Sequence, residues 1–263
     1  MTVAIDFLKN EFKRNVKTGN LQLGIGLEIP SADVAEVLAT SNFDWLFIDG
    51  EHGPHSLESI VAAARAILPF GMTPVVRVGG PSTGLIKQLM DQGINNIIFP
   101  KVETREEAEQ IMYWSSFAPR GNRGMGAQVV RAGLYGRIPD YLERINDESM
   151  MIIQIESRKG MDNLDEICSV DGIGAVFLGP IDLAVDMGHG LNIFHPEVMT
   201  AMDNMIKRVK SFGIPVGTIA VTPDQAKHYK ALGATFLALG ADTFLLSSGA
   251  DKIHNDYSEA LQK

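Results

Sequence analysis

The chain has 263 residues, 45% of them hydrophobic, which supplies enough apolar sequence for one large domain over 1–263. Its formal net charge of -9 argues against a nucleic-acid partner, which would favour a basic surface. Residues 1–20 are interrupted by charged side chains, no segment is apolar for long enough to span a membrane, and Cys168 is the only cysteine. We therefore expect a cytoplasmic protein without intrachain disulfides and without a membrane partner.

Short apolar runs typical of strands alternate with helical patterns along the whole chain. Most of these runs are continuously apolar, as expected for parallel strands covered on both faces. In chain order, the strand candidates are 21–29, 45–50, 74–78, 96–102, 151–156, 175–180, 215–220 and 236–241. Helical patterns fill the intervals, among them TREEAEQIMYWSS with Thr104 as its N-cap, and a last helix covers about 243–261.

Eight such alternating units predict an α/β fold of the (β/α)₈ TIM-barrel type. A doubly wound sheet is the alternative, but it would divide the chain into two halves, and no Gly/Ser/Pro-rich linker marks a division. The longest connection, 103–150, contains a helix, the loop 118–138 and a short helix near 139–147. A loop of this length is a candidate functional segment.

Polar side chains follow the predicted strands at the points where the strands end. In a TIM barrel these C-terminal ends surround the active site, so we expect the side chains to meet at one mouth. The residues placed in this way are Asp49, Glu51, His52, Arg77, Lys101, Glu103, Gln154, Glu156 and Asp182.

The pair Glu156 and Asp182 has the composition of a magnesium site, because two carboxylates leave several positions for water and substrate. No HxxxH, CxxC or HExxH spacing occurs, which argues against a closed structural zinc site. The dinucleotide fingerprint and the GxSxG nucleophile motif are also missing from the sequence. Lys101 is a candidate Schiff-base lysine, although lysines at strand ends more often extend to solvent.

Each candidate also has a purely structural interpretation. His52 can be a loop or capping histidine, and Arg77 can pair with an acidic residue of the preceding strand end. Glu156 can be a first-turn helix carboxylate, which the helix dipole favours, and Asp182 can be an N-cap. Asp91, on the helix after the third strand, is ordinarily a solvated surface charge. A functional site is favoured because several of these residues share one predicted rim.

The motifs FDWLFIDGEHGP, PVVR, IKQLMDQGINNIIFPKVET, PRGNRGMG, RIPDYLERIND, QIESRKGMDNLDEI and VFLGPIDLAVDMGH, followed by HPEV, resemble the HpcH/HpaI aldolase family. This family comprises class II pyruvate aldolases, such as 4-hydroxy-2-oxoheptanedioate and 2-dehydro-3-deoxyglucarate aldolase. The resemblance extends from about residue 21 to 261 with the motifs in family order. It implies a pyruvate-type (β/α)₈ barrel with a swapped C-terminal helix, in dimers that assemble into hexamers.

The resemblance further implies reversible retro-aldol cleavage of a 4-hydroxy-2-oxo acid to pyruvate and an aldehyde, with Mg²⁺, Mn²⁺ or Co²⁺ as cofactor. By this resemblance Glu156 and Asp182 bind the metal, His52 is the general base, Asp91 raises its basicity and Arg77 stabilises the enolate. The residues expected to contact the substrate are Arg77, Gln154, Gly179, Pro180, Ile181 and Asp182.

Two departures from the family pattern leave the identity of the aldehyde product undetermined. Val78-Gly79-Gly80 stands where the family commonly has Pro-x-Trp, and Ala184 stands where a serine is usual. We expect both changes to affect the pocket rather than the chemistry. The alternatives are a CoA-ester lyase of the citramalyl- or malyl-CoA type, for which no cluster of basic residues is evident, and a non-catalytic metabolite-binding protein.

Overall fold

The computed structural model describes residues 6–262, in which eight parallel strands close into a barrel in sequence order. This confirms the predicted TIM barrel, and the doubly wound alternative is wrong. The strands are β1 (Gln22–Leu27), β2 (Trp45–Gly50), β3 (Thr73–Val78), β4 (Asn96–Phe99), β5 (Met150–Ile155), β6 (Ala175–Leu178), β7 (Val216–Ile219) and β8 (Phe236–Ala241).

Helices surround the barrel and return the chain from the end of one strand to the start of the next. They are α1 (Glu11–Lys17), α2 (Ala32–Ala39), α3 (Leu57–Ala66), α4 (Thr83–Asp91), α5 (Arg105–Ser115), α6 (Tyr141–Glu148), α7 (Arg158–Asp162), α8 (Leu164–Cys168), α9 (Pro180–Asp186), α10 (Pro196–Ser211), α11 (Pro223–Leu232) and α12 (Asp242–Ala260). Short 3₁₀ turns lie at Leu68–Phe70 and Arg131–Gly133.

The N-cap prediction at the start of α5 is confirmed, because Thr104 and Glu107 form a reciprocal capping box. Two helical features differ from the sequence expectation. The pattern after the fifth strand is split between α7 and α8, which meet at Asn163. The short helix α1 was not predicted, and its buried Phe12 and Val16 show why it forms there.

Aromatic side chains fill the lower part of the barrel. Phe12 of α1 lies 5.6 Å from both Trp45 and Phe236, measured between ring centroids, and Phe47 lies 5.8 Å from Phe177. Because side chains alternate along a strand, the residues two positions after Phe47 and Phe177 point to the same interior. The first interior positions above Phe47 and Phe177 are therefore Asp49 and Gly179, at the C-terminal ends of β2 and β6.

The long connection is held to the barrel by a buried arginine. Arg123 is 6% exposed, its guanidinium lies 4.5 Å from the ring centroid of Phe117, and its Nη2 donates to Asp91 Oδ1 at 2.9 Å. Phe117 also packs edge-on against Tyr141 of α6. The PRGNRGMG segment thus includes a structural anchor as well as exposed loop.

Helix α12 exposes most of its apolar side chains. The exposed fraction is 72% for Phe244, 63% for Ile253 and 68% for Tyr257. Isolated exposed apolar residues are common on proteins, but several along one helix suggest a surface that another element covers. None of the helices between residues 6 and 262 contains an apolar stretch of the length that a membrane span requires.

Candidate active site

Arg77 and Asp49 form the buried centre of the site. Their Cα atoms are register partners on β3 and β2, which places the two side chains beside each other inside the barrel. Arg77 Nε donates to Asp49 Oδ1 at 3.0 Å, and Nη2 donates to Oδ2 at 2.5 Å. The guanidinium lies 5.1 Å from the ring centroid of Phe47, above the aromatic side chains that fill the lower part of the barrel. Burial lowers the pKa of Arg77, but the hydrogen bond and the charge of Asp49 raise it by more. The net pKa is above its ordinary value, so the guanidinium keeps its charge.

The loop after β2 is organised by the same aspartate. Asp49 Oδ1 accepts the backbone N–H groups of Glu51 and His52 at 3.0 and 3.2 Å. Glu51 Oε2 lies 3.2 Å from Arg77 Nε and 3.8 Å from His52 Nε2. The His52 side chain is 65% exposed, so it stands at the open end of the mouth. The structural interpretation, in which Arg77 pairs with acidic residues at the end of β2, is therefore confirmed.

Strand β5 contributes an amide and a carboxylate to the same interior. Gln154 and Glu156 are 1% and 6% exposed, and Gln154 Nε2 donates to Glu156 Oε2. Gln154 Oε1 is buried without a hydrogen-bond partner among the residues described. A Cβ on Gly179 would lie 2.6 Å from Glu156 Oε2, so only glycine at this position leaves room for the carboxylate.

Negative charge accumulates around Glu156. Its burial, together with the charges of Asp182 and Glu51, raises the pKa of the Glu156 carboxyl to about 7. Asp182 is exposed in the first turn of α9, with Gly179 as the N-cap. The interpretation of Asp182 as an N-cap is therefore wrong. Glu156 is not a first-turn carboxylate either, because α7 begins only after the N-cap Ser157.

These groups fit a hard divalent cation. Glu156 and Asp182 offer carboxylate oxygens. Gln154, whose Nε2 donates to Glu156, has Oε1 as an unpartnered acceptor, and Gly179 keeps the space beside Glu156 clear. Mg²⁺ and Mn²⁺ prefer oxygen ligands and usually keep positions for water and substrate. A cation would also compensate the charge cluster that raises the pKa of Glu156.

Asp91 does not reach His52 within the described chain. It is the last residue of α4, and because β3 and β4 are parallel, α4 runs back toward the opposite end of the barrel. Nine helical residues span about 13 Å. Asp91 is instead paired with Arg123. Its interpretation as a solvated surface charge is therefore wrong, whereas its role in raising the basicity of His52 stays a prediction.

Glu103 and Lys101 lie outside this arrangement. Glu103 accepts from Ser157 Oγ at 2.8 Å and from Lys159 Nζ at 3.2 Å, so it braces the loop between β5 and α7. Lys101 is exposed, and its backbone has a φ of 51°. Neither residue shares the buried carboxylate centre. Ala184 is fully buried in the apolar layer between strands and helices, so any effect of this change on the pocket is indirect.

Two acidic residues near the mouth had no assigned role in the sequence interpretation. Glu28 directly follows β1, and burial together with the charge of Asp49 raises its pKa to about 7. Asp242 is 1% exposed and accepts the backbone N–H groups of Glu28 and Ile29, each at 2.9 Å. Their position after β1 and β8 is the sequence signal that identifies them, since it is the same strand-end rule that selects Asp49.

If the site were chosen by cavity volume alone, a different part of the surface would be selected. A cleft of about 1120 Å³ lies on the outside of the barrel, away from the strand-end site, and its lining includes Lys13, Arg105, Tyr113, Arg120 and Asp147. Several of its charges are already paired, as Arg120 is with Asp147 at 2.6 Å. The strand ends hold the convergent buried acids, the guanidinium and the unpartnered amide oxygen, and these are better markers of chemistry than volume.

Comparison with known proteins gives a consistent result. The HpcH/HpaI aldolase/citrate lyase family model matches residues 23–249. The 2-keto-3-deoxy-L-rhamnonate aldolase of Escherichia coli (strain K12) is 41% identical over 245 residues, which are 93% of this chain and 92% of that protein. A crystal structure of an HpcH/HpaI aldolase/citrate lyase family protein from Burkholderia cenocepacia J2315 is 32% identical with a TM-score of 0.89, covering 95% of this chain and 100% of that one. The HpcH/HpaI aldolase from Desulfitobacterium hafniense DCB-2, 22% identical with a TM-score of 0.88 over 94% of this chain and 96% of that one, shares the fold.

Proposed function

The chain belongs to the HpcH/HpaI aldolase/citrate lyase family, and on that premise we propose that it cleaves a 4-hydroxy-2-oxo acid to pyruvate and an aldehyde with a divalent cation. It is a carbon–carbon lyase. The observation that carries the proposal is the convergence of Arg77, Gln154, Glu156 and His52 on one mouth of the barrel. The relatives named as 2-keto-3-deoxy-L-rhamnonate aldolases support a 2-keto-3-deoxy sugar acid as the substrate class.

In the proposed reaction His52 removes the proton of the 4-hydroxyl group. The C3–C4 bond then breaks, the aldehyde leaves, and the electron pair of the broken bond forms an enolate whose charge resides on the C2 oxygen. Histidine suits this step because its ordinary titration range lies near neutral pH. Its exposure places it where a substrate chain would enter, and Asp49 fixes the loop that carries it.

Arg77 stabilises the enolate oxygen. The Nε and Nη2 groups of Arg77 donate to Asp49. Its Nη1 group makes no hydrogen bond among residues 6–262 and remains for a ligand. A guanidinium fixed by two hydrogen bonds on rigid strands needs little rearrangement when charge develops on the substrate. After cleavage the enolate takes a proton at C3 and leaves as pyruvate.

Glu156 and Asp182 would hold Mg²⁺, Mn²⁺ or Co²⁺. When bound, the cation supplies Lewis-acid polarisation of the 2-oxo group. Gln154 and Gly179 define the floor of the pyruvate pocket. The backbone N–H groups of Ile181 and Asp182, at the start of α9 after Pro180, make no backbone hydrogen bond and suit the substrate carboxylate.

The aldehyde side is the open part of the pocket. Gly79 and Gly80 follow β3 where the family commonly carries a bulky residue, and a Cβ on Gly80 would meet nothing within 4 Å. This space suits the hydroxylated tail of a sugar acid. Aldol cleavage is favoured over CoA-ester cleavage because a 41% identical relative carries the aldolase name.

The proposed function is tested by supplying 2-keto-3-deoxy-L-rhamnonate with Mg²⁺ and measuring pyruvate and aldehyde separately. Equimolar release of both supports it. Malyl-CoA and citramalyl-CoA are assayed in parallel, with free CoA esters followed by chromatography. Cleavage of a CoA ester, with no pyruvate from any 4-hydroxy-2-oxo acid, would overturn the proposal in favour of the alternative lyase.

The assembly proposed for this chain is a dimer-based hexamer with exchanged C-terminal helices. The exposed apolar side chains of α12 support it, since a second copy would remove Phe244 and Ile253 from water. Light scattering on the full chain should give an oligomeric mass that falls when both residues are changed to serine. Val129→Ser, at a loop residue that is 78% exposed, is the matched control. A monomeric wild-type chain would contradict the assembly.

A further inference from the structure

A second group of metal-ligating side chains lies outside the strand-end site. His189 is in the loop after α9, His195 is the N-cap of α10, and Glu197 is in the first turn of α10. One ligand atom from each residue lies within 4.8 Å of the others. The closest pair is His189 Nε2 and Glu197 Oε2, at 2.9 Å. None of the three belongs to the proposed aldolase machinery.

The backbone fixes the positions of both histidines. The His189 N–H donates to Ala184 O at 2.8 Å, and the His195 N–H donates to Asn192 O at 3.0 Å. The His189 side chain is 18% exposed and that of Glu197 is 66% exposed, so a cation can enter from solvent on the carboxylate side. The candidate ligands are therefore held by the backbone in the loop after α9 and at the start of α10.

The donor set selects a particular class of cation. Two imidazoles and one carboxylate suit Zn²⁺ and its neighbours Co²⁺, Ni²⁺ and Cu²⁺, whereas Mg²⁺ prefers oxygen ligands. Around zinc, ligands at about 2.0–2.1 Å in a tetrahedron are about 3.3 Å apart. The 2.9 Å separation of His189 and Glu197 is already close to that spacing.

Binding requires one local rearrangement. The His189 and His195 rings are stacked, with centroids 3.6 Å apart and planes inclined by 14°, so their in-plane lone pairs run nearly parallel. A rotation of one ring makes them converge. The bond that His195 Nδ1 gives up is weak, because it accepts from the Glu197 N–H at 3.3 Å.

We propose that His189, His195 and Glu197 form a second cation site of the zinc class, which ties the loop after α9 to the start of α10. Three protein ligands leave a fourth position for water. The sequence spacing His-x₅-His-x-Glu differs from the patterns of closed zinc sites, which is why a motif search does not detect it. The site is independent of the proposed aldolase function.

The test uses untagged full-length protein in excess Mg²⁺, which occupies the strand-end carboxylates, and titrates ZnCl₂ by calorimetry and equilibrium dialysis. We expect one zinc per wild-type chain and at least a tenfold weaker affinity in His189→Ala and in Glu197→Gln. His228→Ala is the matched control, since His228 pairs with Asp203 at 2.8 Å elsewhere on the surface. Circular dichroism verifies that each variant is folded.

Glu156→Gln separates the two sites. This variant should keep the zinc equivalent, and Co²⁺ in its place should give the visible absorption bands of a histidine-ligated ion, which disappear in His189→Ala. Unchanged zinc affinity in both His189→Ala and Glu197→Gln would overturn the proposal. Loss of the zinc equivalent in Glu156→Gln alone would place the binding at the strand ends and would also overturn it.

Discussion

Arg77 and Asp49 face each other across β3 and β2 in a two-point ion pair, with contacts of 3.0 and 2.5 Å. Asp49 is 1% exposed and Arg77 is 7% exposed, so Arg77 is the buried cation that compensates Asp49, while Glu51 also contacts the guanidinium. The pair therefore has two separable effects. It stabilises the folded barrel, and it aims one face of the guanidinium at the space beside Glu156.

Arg77→Ala should reduce cleavage of a 4-hydroxy-2-oxo acid by about 10²–10³-fold, the typical effect of removing one oxyanion donor. It should also lower the free energy of unfolding by about 3–5 kcal/mol, because the buried Asp49 loses its cation and keeps only the backbone N–H groups of Glu51 and His52. Steady-state kinetics and urea unfolding measure the two effects. The double variant Arg77→Ala with Asp49→Asn should recover much of the stability and none of the activity. Recovery of both would show that Arg77 acts only as a structural partner.

His52→Ala should separate two reactions that share an enolate. Aldol cleavage needs the 4-hydroxyl proton removed, whereas oxaloacetate decarboxylation reaches the pyruvate enolate without that step. We expect a loss of about a hundredfold or more in cleavage and a much smaller loss in decarboxylation. Arg77→Ala should reduce both rates, because both reactions build charge on the same oxygen. Equal losses in His52→Ala would show that His52 is not the hydroxyl base.

Gly179→Ala should weaken cation binding without a general loss of fold. The added Cβ would lie 2.6 Å from Glu156 Oε2 and 2.7 Å from Glu156 Cβ, so the carboxylate must move. We expect an affinity for Mn²⁺ at least about tenfold lower by calorimetry, with loss of activity at limiting metal. Gly84→Ala is the control, because its nearest neighbour, Ser82 Oγ, is 3.9 Å away. Wild-type Mn²⁺ affinity in Gly179→Ala would remove Glu156 from the cation site.

The barrel was predictable because buried parallel strands are uniformly apolar, and because polar residues at their ends are conspicuous against that background. The partnership of Asp49 and Arg77 was not predictable in detail, since it depends on the β2–β3 register. A shift by one residue would turn one side chain out of the barrel. Asp49 is the carboxylate that holds the His52 loop. The strand-end rule selects Asp49 from the sequence but does not assign it a function.

Pairings between different elements account for most of the remaining differences. Asp91 lies on a helix whose direction follows from the topology, but its partner Arg123 comes from a loop whose path no local pattern describes. His189 and Glu197 meet because the loop after α9 brings His189 back to the first turn of α10. In each case the residue type was visible in the sequence, and the partner was fixed by tertiary packing.

Glu28→Gln should change the pH dependence of stability. Burial and the charge of Asp49 raise the pKa of Glu28 from 4.5 to about 7, so the folded state retains this proton longer than the unfolded state. The resulting stabilisation is complete below about pH 4.5 and is lost as the pH rises through about 7. The thermal midpoint of Glu28→Gln relative to wild type should thus increase between pH 5 and pH 8. The exposed Glu36→Gln should show a constant difference, and a constant difference for Glu28→Gln would contradict the assignment.

On the proposed function, this mouth generates a pyruvate enolate beside Arg77 with a divalent cation. Proton NMR of pyruvate in D₂O tests it without an aldehyde, because an enolate that forms and is reprotonated replaces the methyl protons with deuterium. Wild-type protein with Mg²⁺ should exchange these protons, and EDTA-stripped protein, Glu156→Gln and Arg77→Ala should each exchange them at least about a hundredfold more slowly. Full exchange by verified metal-free protein, or none by the Mg²⁺-loaded wild type, would contradict the account.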